Sequence, residues 1–108
     1  MNAAICSSFP SHSPILSATK RRPVLALTKP DSCGDFIALP VTSRPQPDHG
    51  LPLTASDLVH GSLPAPSWIR TDRIVTLNAS LVIKSFGHVA ERVVATAVER
   101  FCVRIASP

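Results

Sequence analysis

A chain of 108 residues holds one small domain, and its 44% hydrophobic content excludes wholesale disorder. No apolar run approaches the ~18 residues that cross a membrane. The net charge of +4, with eight arginines among eleven basic residues, admits a phosphate-bearing partner without demanding one. Four Phe and one Trp leave the core to aliphatic side chains, and so small a core gains from pairing with a second copy. Cys6, Cys33 and Cys102 are far apart and in no metal-ligand spacing, which reads as reduced thiols in a cytoplasmic protein.

In chain order, MNAAICSSFPSHSP lacks the basic start and long apolar core of a secretion signal. Ten of the eleven prolines precede residue 67, so the first two thirds read as short strands joined by irregular loops. RPVLALT (22–28) and GDFIALPVTS (34–43) are predicted strands, with KPDSCG as the turn between them. RPQPDHGLP (44–52) reads as a long loop. WIRTDRIVTL (68–77) and LVIKSFGHV (81–89) alternate as two further strands, with Asn78 near the turn. AERVVATAVERFCVRI (90–105) carries Val94, Val98, Phe101 and Ile105 on one stripe, the spacing of an amphipathic helix. The layout is mainly β (α+β): a small, mostly antiparallel sheet or barrel closed by a C-terminal helix, without internal repeats.

Polar groups concentrate in three places. KRRP (20–23) puts Lys20, Arg21 and Arg22 at the mouth of a strand, and PVTSR (40–44) ends the next strand with Thr42, Ser43 and Arg44. In SWIRTDRIVTLN (67–78), side chains two apart share a face of an extended chain, so Arg70 and Asp72 lie together beside Trp68 and Ile74. Each cluster alone has a structural explanation: a solvated loop or edge guard, turn-forming hydroxyls, an exposed ion pair. Together they suit cleavage of an RNA phosphodiester without a metal. That reaction needs a base for the ribose 2′-hydroxyl, an acid for the leaving 5′-oxygen, and donors for the charge on the phosphoryl oxygens. Asp72 is the candidate base, Arg70 the acid or an electrostatic clamp, and Arg22 with Thr42 the oxyanion donors. Arginine is a poor proton donor at its normal pKa, which favours the clamp. Lys20, Arg21, Ser43, Arg44 and Arg73 are the candidate substrate-binding residues. No metal or other cofactor is expected. His12, His49, His60 and His88 are isolated in sequence, and His12 and His49, in loops, are the two that could approach a substrate.

These clusters, in this order, resemble the MazF/PemK family of bacterial toxins from toxin–antitoxin pairs, over about residues 19 to 105. The similarity lies in KRRPVLALT, GDFIALPVTSR, WIRTD and IKSFGHVAERVVATAVERF, and the Ile–Arg–x–Asp step resembles the PemK/Kid branch. The resemblance implies a single domain over 1–108 with an SH3-like antiparallel β-barrel, a C-terminal α-helix and a homodimeric assembly. It implies a sequence-specific endoribonuclease that cuts single-stranded RNA to 2′,3′-cyclic phosphate and 5′-hydroxyl ends. A cognate antitoxin would lay an acidic segment over the RNA groove. Matched by position, Arg22 takes the place of the family Arg before Pro, Thr42 that of the strand-end Thr, and Arg70 with Asp72 that of the acid/base pair. Residues 1–18 depart from the pattern: AICSSFPSHSP stands where members carry a continuous first strand, so a shortened strand and loop are expected there. Two other readings stand beside this one: a barrel that acts only by protein or RNA contact, as gyrase-poisoning relatives do, and an inactive remnant.

Overall fold

Most strands are short, and one of eight residues is long enough to organise the rest. The structure, a computed structural model, describes residues 13–18, 22–63 and 65–106. Its strands are β1 (Ser13–Ala18), β2 (Arg22–Ala26), β3 (Asp35–Thr42), β4 (Gly50–Leu53), β5 (Leu58–Gly61), β6 (Ser67–Arg70), β7 (Val75–Asn78) and β8 (Lys84–Val89). Single 3-10 turns occupy Ala55–Asp57 and Ala79–Leu81, and helix α1 spans Glu91–Ala106. Every strand pair is antiparallel, in the order β4-β6-β3-β2-β1-β8-β5. β3 is the hub, with β2 on one side and both β6 and β7 on the other. The mainly β reading with a C-terminal helix agrees with this architecture. The closed barrel does not: β4 and β5 stand at the two ends of the path, so the described strands form an open sheet.

Alternation along β3 splits its side chains between two cores. Leu39 and Val41 join Leu25, Leu53, Ile69 and Val89 beneath Val93, Val94, Ala97 and Val98 of α1. Phe36 and Ala38 face the other way, with Val24, Ala26, Val75 and Leu77. The helix forms where the 3.6-residue period predicts it, but its buried stripe is Val93, Val94, Ala97 and Val98, and Ile105 is exposed near the helix end.

Several boundaries differ from the sequence reading. Gly50–Leu53 is a strand that begins inside the loop expected over 44–52, and Leu58–Gly61 is a strand where none was expected, because β6 and β8 offer them ladders that short sequence windows do not reveal. The strand expected over 68–77 is broken at Thr71–Ile74, and β8 begins only at Lys84. The KPDSCG turn is built by Asp31, whose Oδ1 accepts the N–H groups of Cys33 and Asp35 at 2.9 Å each. His60 and His88, isolated in sequence, meet across the β5–β8 ladder with Nδ1 atoms 3.4 Å apart. Cys33 is a free, exposed thiol, whereas Cys102 on α1 is disulfide-bonded and not the reduced thiol expected. The shortened opening expected over residues 1–18 lies outside the described residues, apart from the backbone of β1.

Leu39 is fully buried between β2, β6 and α1. Leu39→Ala is expected to destabilise the fold by about 2–5 kcal/mol through lost burial and an unfilled cavity. A urea-unfolding midpoint lowered at unchanged slope is the expected observation.

Candidate active site

Pro40 decides where the site forms. The Ile37 carbonyl points at β2, where it accepts the Leu27 N–H at 2.8 Å. Backbone direction alternates along a strand, so the nitrogen of Pro40 points the opposite way, toward β6 and β7. Proline has no hydrogen to donate there. The ladder is interrupted at that level: Ile69 pairs with Val41 and Val75 with Ala38, so six steps of chain span three steps of β3. The surplus leaves the sheet as the turn starting at Thr71 and Asp72.

That turn folds the Asp72 carboxylate back onto Arg70. Arg70 Nε donates to Asp72 Oδ1 at 3.1 Å, and Nη2 donates to Oδ2 at 2.7 Å, a two-pronged pair. The expectation that these residues meet is met by the structure, although a turn rather than an extended strand brings them together. Their side chains are 22% and 15% exposed, so the pair is accessible from one side. The hydrogen bond from Arg70 holds the Asp72 carboxyl below its usual range. The same bond raises the Arg70 guanidinium above its already high value.

Arg70 and Trp68 lie half-buried on the face of β6 opposite Ser67 and Ile69, which point inward. Thr42 pairs with Trp68, so Arg70 lies diagonally from it, about 7–8 Å away between Cα atoms. The Thr42 hydroxyl accepts the Arg44 N–H at 3.1 Å, which leaves its own hydrogen as the donating end. Ser43, Arg44 and Arg73 are exposed around this face, and neither arginine forms an ion pair among the described residues. Arg22 opens β2 two residues before Val24, whose ladder partner Pro40 lies two residues before Thr42. Lys20, Arg21 and His12 lie outside the described residues. Among the described residues, no three His, Cys, Asp or Glu side chains gather as a metal-ligand set.

The third side comes from the segment leading into β4. Gly50 pairs with Arg70, and the His49 carbonyl accepts both the Thr71 N–H at 2.9 Å and the Thr71 hydroxyl at 2.6 Å. Thr71 is buried, so two donors on one residue fix His49 beside the charged pair. Positive charge on the His49 ring adds to the forces keeping Asp72 ionised. Gly50 permits this approach: a Cβ there would overlap Gln46 and stand 3.1 Å from Trp68 Cδ1. Trp68 was legible beside Arg70 in the alternation. The Thr71–His49 staple spans 22 residues and leaves no local signal.

The family model described as PemK-like, MazF-like toxin of type II toxin–antitoxin system matches residues 12–104. Among curated proteins none matches the sequence. The fold is similar to that of an endoribonuclease from a mycobacterial species, with TM-score 0.70 and 16% identity, covering 94% of this chain and 95% of that one. It is similar to the MazE–MazF structure from Deinococcus radiodurans, with TM-score 0.70, 23% identity and coverage of 91% and 97%. The Mycobacterium tuberculosis toxin MazF-mt6 aligns with TM-score 0.62, 24% identity and coverage of 83% and 95%.

Because the folded state holds the Asp72 carboxyl below its usual range, the stability it contributes is complete above the unfolded value of about 3.9. It is lost as pH falls through the lower, folded value. Asp72→Asn is therefore expected to cost about 1–2 kcal/mol at neutral pH. The gap from wild type narrows toward zero in acid, as urea unfolding at pH 7 and below pH 4 will read.

Proposed function

The chain belongs to the PemK-like, MazF-like toxins of type II toxin–antitoxin systems, and from that premise we propose that it is a sequence-specific endoribonuclease that cuts single-stranded RNA without a metal. The observation that carries this reading is the two-pronged Arg70–Asp72 pair, set on one face with Thr42 and Trp68. A guanidinium fork that fits a carboxylate also fits a phosphate. RNA phosphate competes with Asp72 for Arg70, and binding converts a closed ion pair into a clamped phosphate beside a freed carboxylate. Asp72 then accepts the proton of the 2′-hydroxyl. The 2′-oxygen bonds to phosphorus, and the bond from phosphorus to the 5′-oxygen breaks. The ends are a 2′,3′-cyclic phosphate and a 5′-hydroxyl.

Arg70, Arg22 and the donating hydrogen of Thr42 offset the charge that builds on the phosphoryl oxygens. Trp68 offers a half-buried ring on which an unpaired base can stack. Lys20, Arg21, Ser43, Arg44 and Arg73 supply contacts to flanking phosphates, in keeping with the net charge of +4. The same basic face suits an acidic antitoxin segment, and the D. radiodurans relative is solved as a MazE–MazF structure. Exposed Val103 and Ile105 at the end of α1 offer apolar area to a second copy in a homodimer.

Incubation with mixed-sequence single-stranded RNA in EDTA is expected to give cuts restricted to a short motif, with cyclic phosphate ends. Asp72→Asn and Arg70→Ala should each slow cleavage by about 10²–10⁴-fold while circular dichroism stays native. RNA left intact overturns the reading in favour of a fold that acts by contact alone, and RNA cut by both variants as fast as by wild type overturns the Arg70–Asp72 site.

A further inference from the structure

We propose that His49 is the general acid of this site, giving its proton to the leaving 5′-oxygen. The proposal rests on the ribonuclease reading and fills a role that reading leaves empty. Asp72 can take the first proton, but Arg70 cannot give the second. Its guanidinium is bound in a fork to Asp72, and arginine does not release a proton at any working pH. The chain has no tyrosine. Imidazole is the side chain that exchanges protons near neutrality.

Geometry sets His49 at this point. It is the residue before β4, and its neighbour Gly50 stands opposite Arg70 in the ladder. Its carbonyl is held twice by Thr71, the residue between Arg70 and Asp72 in the chain. On its other side, the Gly50 N–H donates to the Gln46 carbonyl at 3.0 Å and closes the turn that carries His49. His49 is half-buried, neither lost in the core nor free in solvent. The charged residues adjacent to this point are Arg70, opposite Gly50 in the ladder, Asp72, one residue beyond Thr71, and Asp48, the preceding residue in the chain. The backbone staple therefore carries His49 to the edge of the charged pair, next to the residue that joins Arg70 to Asp72.

The proton balance closes with these two groups. The Asp72 carboxylate takes the 2′-hydroxyl proton as the new oxygen–phosphorus bond forms. As the bond from phosphorus to the 5′-oxygen breaks, that oxygen takes a proton from the His49 imidazolium. Asp72 is left protonated and His49 neutral, and exchange with water resets both. Arg70 stays charged throughout and holds the phosphoryl oxygens.

A substrate whose leaving oxygen is replaced by sulfur separates the roles, because a thiolate leaves without being protonated. His49→Ala is expected to slow cleavage of the ordinary linkage by about 10²–10⁴-fold. It should cut the 5′-bridging phosphorothiolate within a few-fold of wild type, while Asp72→Asn is slow on both. Wild-type activity on the ordinary linkage should fall as pH rises through the range in which imidazole loses its proton, a limb absent from His49→Gln. Independently of cleavage, the Asp72 carboxyl titration followed by ¹³C NMR should move upward in His49→Gln. Equal slowing of both substrates by His49→Ala, or an unmoved Asp72 titration, overturns the inference while leaving ribonuclease activity in place. Wild-type protein that cleaves neither substrate overturns the ribonuclease reading, and this step with it.

Discussion

One absent hydrogen shapes this protein. Pro40 stands mid-strand on the hub of the sheet, with its nitrogen turned toward the β6–β7 side, and cannot complete the ladder there. The chain passing alongside answers by leaving the sheet for a few residues. A continuous strand would present Asp72 on a flat, solvated surface, two residues from Arg70. The excursion bends it back so that both carboxylate oxygens meet the guanidinium. The exposed pair that the sequence alone could not distinguish from a site thereby becomes a shielded, two-pronged one.

The pair is self-contained. Each partner answers the charge of the other, and the carboxyl is held below its usual range. Such a pair is inert until something competes for the guanidinium, and a phosphate is the competitor with matching shape and charge. The same bond that keeps Asp72 ionised makes Arg70 still less able to give up a proton. In the proposed reaction, charge stabilisation and proton transfer therefore rest on different groups. The loop before β4 is where the structure brings a suitable second group near, through Thr71 and the space left by Gly50.

Two faces of one strand divide the work of fold and site. Odd-numbered Leu39 and Val41 bury themselves under α1 and carry much of the main core. Even-numbered Phe36 and Ala38 seal a smaller core at one end of the opposite face, and Thr42 opens toward the charged pair at the other. The site thus sits on the side of the sheet away from the helix, backed by side chains whose burial makes the platform stiff.

Elements with local signals were legible from residue types and their spacing. The 3.6-residue period of 91–106 gave the helix, the aliphatic runs gave β2 and β3, and the Asp31 turn followed from its residue types. The alternation of Trp68, Arg70 and Asp72 also led to the expectation that this arginine and this carboxylate meet, which they do, through a turn instead of a strand. The remainder came from contacts between distant segments. β4 and β5 depend on partners far along the chain, and the break at Thr71 depends on a proline some thirty residues earlier that faces it across the ladder. The place of His49 depends on two hydrogen bonds from Thr71, a residue 22 positions away. Strand pairing and side-chain convergence are non-local, so no window of sequence contains both halves of the interaction that creates them.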